Sequence, residues 1–140
     1  MDAAEKEPRY ALAGTISYDD AGQPRLMGGL CAECGAKVFP KPKICSACWA
    51  TDQQDLALAT RGKLYSFSVV HAARKGWPSP YAIAYVDLDD GVRICAPLEA
   101  DLSQPPPLDI AVELIVGPLR VEADGSPVLS HRFKRVQEAR

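Results

Sequence analysis

Nothing in this 140-residue sequence is apolar for long enough to cross a bilayer, a span that takes about 20 consecutive residues in a helix. The N-terminus, MDAAEKEPRY, is charged and lacks the apolar stretch of a secretory signal, so the expected compartment is the cytoplasm. A basic excess is missing as well. The net charge is −2 and the pI about 5.7, which counts against nucleic-acid binding as the main role. There is no nucleophile elbow, no phosphate-cradling glycine loop and no pair of carboxylates spaced for acid–base work. The two histidines, His71 and His131, have no acid partner in the sequence and are read as structural or surface residues. The chain is poor in recognisable catalytic equipment.

Twelve prolines and ten glycines break the chain into short segments and turns. From Gly62 the apolar pattern has period two, which predicts strands. In KLYSFSVV (63–70), Tyr65, Phe67 and Val69 alternate with Ser66 and Ser68. Tyr81 to Leu88 forms a second strand, followed by the hairpin signal Asp89-Asp90-Gly91 and a third strand, Val92 to Leu98. The proline run in SQPPPLD (103–109) cannot lie in a central strand. Ile110 to Val116 is a fourth strand closed by Gly117-Pro118, and 119–136 supplies the fifth, as a hairpin about Asp124 to Pro127. Five short strands match a small OB-type barrel, and an immunoglobulin-like sandwich needs about seven. The fold expected is therefore mainly β, with a segment at 1–25 that is partly helical or mobile, a metal ribbon over 26–52 and a barrel over 53–137. Residues 51–60 read as a connector into the first barrel strand.

Four of the five cysteines, Cys31, Cys34, Cys45 and Cys48, have the form C-x2-C-x10-C-x2-C. In a reducing compartment this spacing reads as metal binding rather than as disulfides. Two tight knuckles facing each other build a tetrahedral cage of four sulfurs, which suits a structural Zn²⁺ and leaves no open position for catalysis. Iron in a rubredoxin-like site is the rival occupant. Phe39, Pro40, Pro42, Ile44 and Trp49 are expected to cover this small ribbon and dock it on the barrel.

The cysteine pairs, Phe39-Pro40 after the first knuckle, Pro80-Tyr81 and VDLDDGVR (Val86 to Arg93) together resemble a known family. It comprises the acyl-CoA-associated OB-fold proteins with a rubredoxin-like zinc ribbon, formerly a domain of unknown function. The likeness covers about Leu26 to Val136. It implies a stand-alone accessory subunit of an acyl-CoA-processing complex, joined to a thiolase-like partner or to a lipid-transfer-type aldolase or hydratase. One departure is the second knuckle, CSACW, which lacks the proline and glycine often found there.

The segment HAARKGWPSPY (71–81) offers Arg74, Lys75, Trp77 and Tyr81 between two strands. Coenzyme A carries phosphates and an adenine, which call for cations and an aromatic platform. These four residues are the candidate site for a coenzyme A thioester, and the competing reading is a solvated hairpin loop with Trp77 as a lid on the barrel. Lys37, Lys41 and Lys43 are read as a solvated basic face of the ribbon, and Asp87, Asp89 and Asp90 as turn residues. The odd cysteine, Cys95, is read as a buried small apolar side chain rather than a nucleophile. The alternative function is a nucleic-acid module, with Tyr65, Phe67 and Trp77 stacking bases beside the basic tail HRFKRV.

Overall fold

The computed structural model describes residues 9–12, 14–72 and 74–136. Among these residues there are ten strands and no helix. The first five are β1 (Arg9–Tyr10), β2 (Ile16–Tyr18), β3 (Pro24–Cys31), β4 (Lys37–Val38) and β5 (Gln53–Ala57). The last five are β6 (Arg61–Val70), β7 (Tyr81–Leu88), β8 (Arg93–Glu99), β9 (Ala111–Val121) and β10 (Pro127–Arg135). The described part of the N-terminal segment, expected to be partly helical or mobile, holds β1, β2 and the start of β3, and 1–8 lie outside the described residues.

The last five strands close a barrel. β6, β7 and β8 form an antiparallel meander. β10 then lies parallel to β8, with Phe133 opposite Leu98, and antiparallel to β9. β9 returns to β6, with Glu113 opposite Arg61, so no barrel strand is left with a bare edge. This is the strand order of an OB barrel. Period-two alternation sends Val86, Ile94, Ala96, Val112 and Phe133 inward, where they fill the barrel.

Two features depart from simple alternation. A bulge between Leu64 and Ser66 makes Tyr65 an extra residue. Tyr65 is turned outward, away from the face of Phe67, which packs against the core. β9 also does not stop at Gly117-Pro118 but runs on to Val121, opposite β10. Pro118 gives up one ladder donor there, and its carbonyl accepts instead from Arg132 at 3.0 Å.

The cysteine-bearing part is built on β3, which pairs with β2, β4 and β5. The presumed connector 51–60 therefore contains a strand, β5, in register with β3 from Met27↔Ala57 to Cys31↔Gln53. Gly28 and Gly29 permit this crossing. A Cβ at Gly28 would lie 2.5 Å from the Val38 carbonyl oxygen, and one at Gly29 would lie 2.8 Å from Lys41. Leu26 and Leu58 are fully buried in the same apolar cluster as Phe133, so ribbon and barrel share a core.

Of the residues expected to dock the ribbon, Phe39 does so. It packs on the core cluster and meets the His131 ring edge-on at 5.3 Å. Ile44 and Trp49 do not, for they are 52% and 81% exposed. His131 sits in the seam, with Nε2–H donating to the Cys95 carbonyl at 3.1 Å and Ser130 Oγ 3.4 Å from Nδ1. Burial lowers its pKa from the usual 6.5, and the Cys95 carbonyl only partly opposes this. A base with a depressed folded pKa gives full stability above its unfolded pKa and loses it as pH falls through the folded value. Wild type should therefore lose more stability than His131→Gln between about pH 6.5 and the lower folded pKa, and the two should run parallel above that window. Urea denaturation across pH checks this, and parallel curves throughout would refute it.

Candidate functional site

The two knuckles repeat one backbone design. Cys31 N–H donates to the Ala36 carbonyl and Cys45 N–H to that of Ala50, at 2.9 and 2.8 Å. Gly35 N–H returns to Cys31 and Trp49 N–H to Cys45, both at 2.9 Å. The fifth residue of each knuckle is left-handed, with φ of 78° at Gly35 and 69° at Trp49. These turns bring all four Sγ atoms within 4.8 Å of one another. Cys31–Cys48 and Cys34–Cys45 are each 3.6 Å apart, and a tetrahedron with bonds of about 2.3 Å has edges of about 3.8 Å. The donor set therefore fits Zn²⁺.

The thiols are prepared for this unequally. The Ala47 N–H, 3.4 Å from Cys45 Sγ, leads in lowering that thiol to about 7. The Ala50 N–H also pulls Cys48 down, but desolvation and the three facing thiols outweigh it and push Cys48 up to about 12. Four thiolates need a cation among them, and the resulting coordination is closed.

A second concave feature lies in the β6–β7 loop. Gly76 has φ of 91°, and a Cβ there would sit 2.5 Å from the Val121 carbonyl. Val121 N–H donates to the Gly76 carbonyl at 2.8 Å, which pins the loop to the end of β9. Ser79 Oγ–H closes the loop base on the His71 carbonyl. Trp77 and Tyr81 stack at 5.3 Å with a 36° tilt. With Ala72 and Arg74 they line a pocket of about 320 Å³. The structure thus brings Arg74, Trp77 and Tyr81 together, while Lys75 is exposed and outside the lining.

The remaining sequence candidates separate. Cys95 is exposed on the outer face of β8 opposite Tyr85, because Ile94 and Ala96 take the inward positions; its reading as a buried residue was wrong. Asp87 holds Arg93 in two hydrogen bonds of 2.6 and 3.1 Å, which keep its carboxyl below the usual value. The Arg93 guanidinium lies 3.6 Å over the Tyr65 ring. Asp90 accepts from the Ala59 N–H, and Lys41 pairs with Asp55. Sequence reasoning missed a wider concavity of about 480 Å³ walled by Leu98, Pro105, Pro106, Pro107, Ile110 and Lys134. Only its proline run carried a local signal, and that signal says loop, not pocket.

The cysteine geometry makes a direct prediction. Purified protein should carry one zinc per chain by elemental analysis, Cys45→Ser should lose stoichiometric metal, and Cys95→Ser should keep it. Iron with visible absorbance in the wild-type protein would contradict the zinc assignment.

Comparison with known proteins agrees with this arrangement. The sequence model of the ChsH2 rubredoxin-like zinc ribbon domain matches residues 19–52. That of the ChsH2 C-terminal OB-fold domain matches 56–124. The benzoylsuccinyl-CoA thiolase subunit BbsA of Geobacter metallireducens is 38% identical over 117 residues, covering 84% of this chain and 79% of the relative. BbsA of Thauera aromatica is 39% identical, covering 84% and 81%. Among solved structures, an Ltp2-ChsH2(DUF35) aldolase chain superposes with a TM-score of 0.65 at 23% identity, covering 79% of this chain and 84% of that one, which supports the fold. With a four-cysteine zinc ribbon set on an OB barrel and relatives alike over most of their length, the chain belongs to the ChsH2-type (DUF35) family of zinc-ribbon and OB-fold proteins.

Proposed function

We propose that this chain is a non-catalytic accessory subunit of an acyl-CoA-processing complex, docked on a thiolase-like, lipid-transfer-type aldolase or hydratase partner. The observation that carries this is the likeness, over about four-fifths of each chain, to subunits of benzoylsuccinyl-CoA thiolase. The chemistry of the chain supports it. Its four-cysteine site is closed, its barrel is filled with side chains, and Asp87 and Asp90 are engaged by Arg93 and the Ala59 N–H. The bond-making step then belongs to the partner, and the zinc holds the ribbon in shape.

In this reading the β6–β7 loop helps to hold the coenzyme A end of the substrate. The tilted Trp77–Tyr81 pair offers a platform for adenine, and Arg74 with the exposed Lys75 offers charge for the phosphates. The pocket volume of about 320 Å³ suits one nucleoside-sized group and lies at the low end of ligand sites. The thioester would then reach beyond this chain to the enzyme.

Two measurements test the proposal. A tagged chain recovered from its native host should bring down a thiolase-, aldolase- or hydratase-fold enzyme in stoichiometric amount; RNA in its place would refute the reading. In the purified complex, Trp77→Ala and Arg74→Ala should each weaken acyl-CoA binding about 5- to 100-fold, as expected for a lost base stack or a charged hydrogen bond. Unchanged affinity in calorimetry would leave the loop a solvated hairpin.

A further inference from the structure

The two zinc knuckles differ at one residue in a way that folding does not explain. Their hydrogen-bond schemes coincide, and both end on a left-handed residue, Gly35 in the first and Trp49 in the second. Glycine adopts that backbone freely, whereas an L-residue with a large side chain does so at a cost. A tryptophan in such a place ordinarily repays the cost by burying its ring. Trp49 does not, since it is 81% exposed. Ile44, which leads into the same knuckle, is also exposed. The isolated chain therefore accepts backbone strain and an unburied indole at the one spot where its own first knuckle shows glycine to be sufficient.

We infer that Trp49 is the anchor with which the ribbon grips the acyl-CoA enzyme subunit, its ring seated in an apolar pocket of that partner. The inference rests on the accessory-subunit reading above. Tryptophan dominates interface energetics when it enters a desolvated pocket. The knuckle fixes the backbone of Trp49 before binding, so little backbone freedom is lost on docking. The occupant follows from charge. From Lys43 to Ala50 the only charged side chain is Lys43, so the pocket should be apolar with an acidic or carbonyl rim. A second copy of this chain fits less well: its aromatic pocket carries Arg74, and its wider concavity sets Lys134 and Arg135 beside Glu99 and Asp101. An anionic bilayer also fits poorly: lipid recognition takes clusters of about 4–8 cations, and this chain has a net charge of −2.

The test uses the zinc-loaded full chain and the enzyme subunit that co-elutes with it, identified by mass spectrometry and then purified. Trp49→Gly should raise the Kd for that enzyme about 10- to 100-fold while leaving zinc content unchanged and thermal stability equal or higher. Trp49→Asn, which tolerates the left-handed backbone without glycine's extra freedom, should weaken binding alike. If both variants bind as tightly as wild type, the anchor is refuted and the accessory role stands. If wild type recovers no acyl-CoA enzyme, both fall. Self-association in sedimentation, or binding to phosphatidylserine vesicles, that depends on Trp49 while enzyme affinity does not would overturn the proposal in favour of that occupant.

Discussion

Four sulfurs within 4.8 Å of one another are the constraint on which the ribbon depends. Ionised and without a cation they repel, and neutral they offer only weak hydrogen bonds. With a divalent ion at the centre, the repulsion becomes a closed tetrahedron that ties the end of β3 to a segment with little regular structure. Between Cys31 and Cys48 only β4, Phe39 and Lys41 are held by other means, through β3, the core cluster and Asp55; the two knuckles take their shape from that closure. The barrel needs no such device. Its β8–β10 and β9–β6 pairings close the sheet around a filled interior.

The parts legible in the sequence are those set by local chemistry. The C-x2-C pairs fix the knuckles, Asp89-Asp90-Gly91 fixes a hairpin with Gly91 at φ of 93°, and period-two alternation fixes β7 residue for residue. What was illegible depends on distant neighbours. The strand β3 is obscured by Gly28-Gly29, which reads as a breaker until the close approach of Val38 and Lys41 explains it. β5 looks like a connector because three of its five residues are exposed and no alternation marks it, and only pairing with β3 makes it a strand. The bulge at Tyr65 shifts the alternation by one, which no count of apolar residues announces.

The candidate ligand site was half legible for the same reason. Arg74, Trp77 and Tyr81 lie within eight consecutive residues, so sequence alone could group them. What holds them is remote: Gly76 rests on the backbone of Val121, at the far end of β9. The position of Cys95 could have been read correctly from its own strand, since Val92, Ile94 and Ala96 claim the inward face. The general preference of cysteine for burial yields here to that local pattern.

The placement of aromatic side chains ties these strands of argument together. The chain has three phenylalanines, two tryptophans and five tyrosines. Only Phe133 is fully buried; the core is otherwise made of leucine, valine, isoleucine and alanine. Aliphatic residues suffice to fill a barrel this narrow, so the rings are free for other uses. Phe39 joins ribbon to barrel, Trp77 and Tyr81 shape a pocket, and Tyr65 is held flat by Arg93, itself fixed by Asp87. Each of these rings is held by neighbours within the chain. Trp49 alone is both strained and unsupported, which is why its explanation has to come from outside the chain. A fold that builds its interior from aliphatic residues and displays its large rings on loops and knuckles is suited to recognising other molecules.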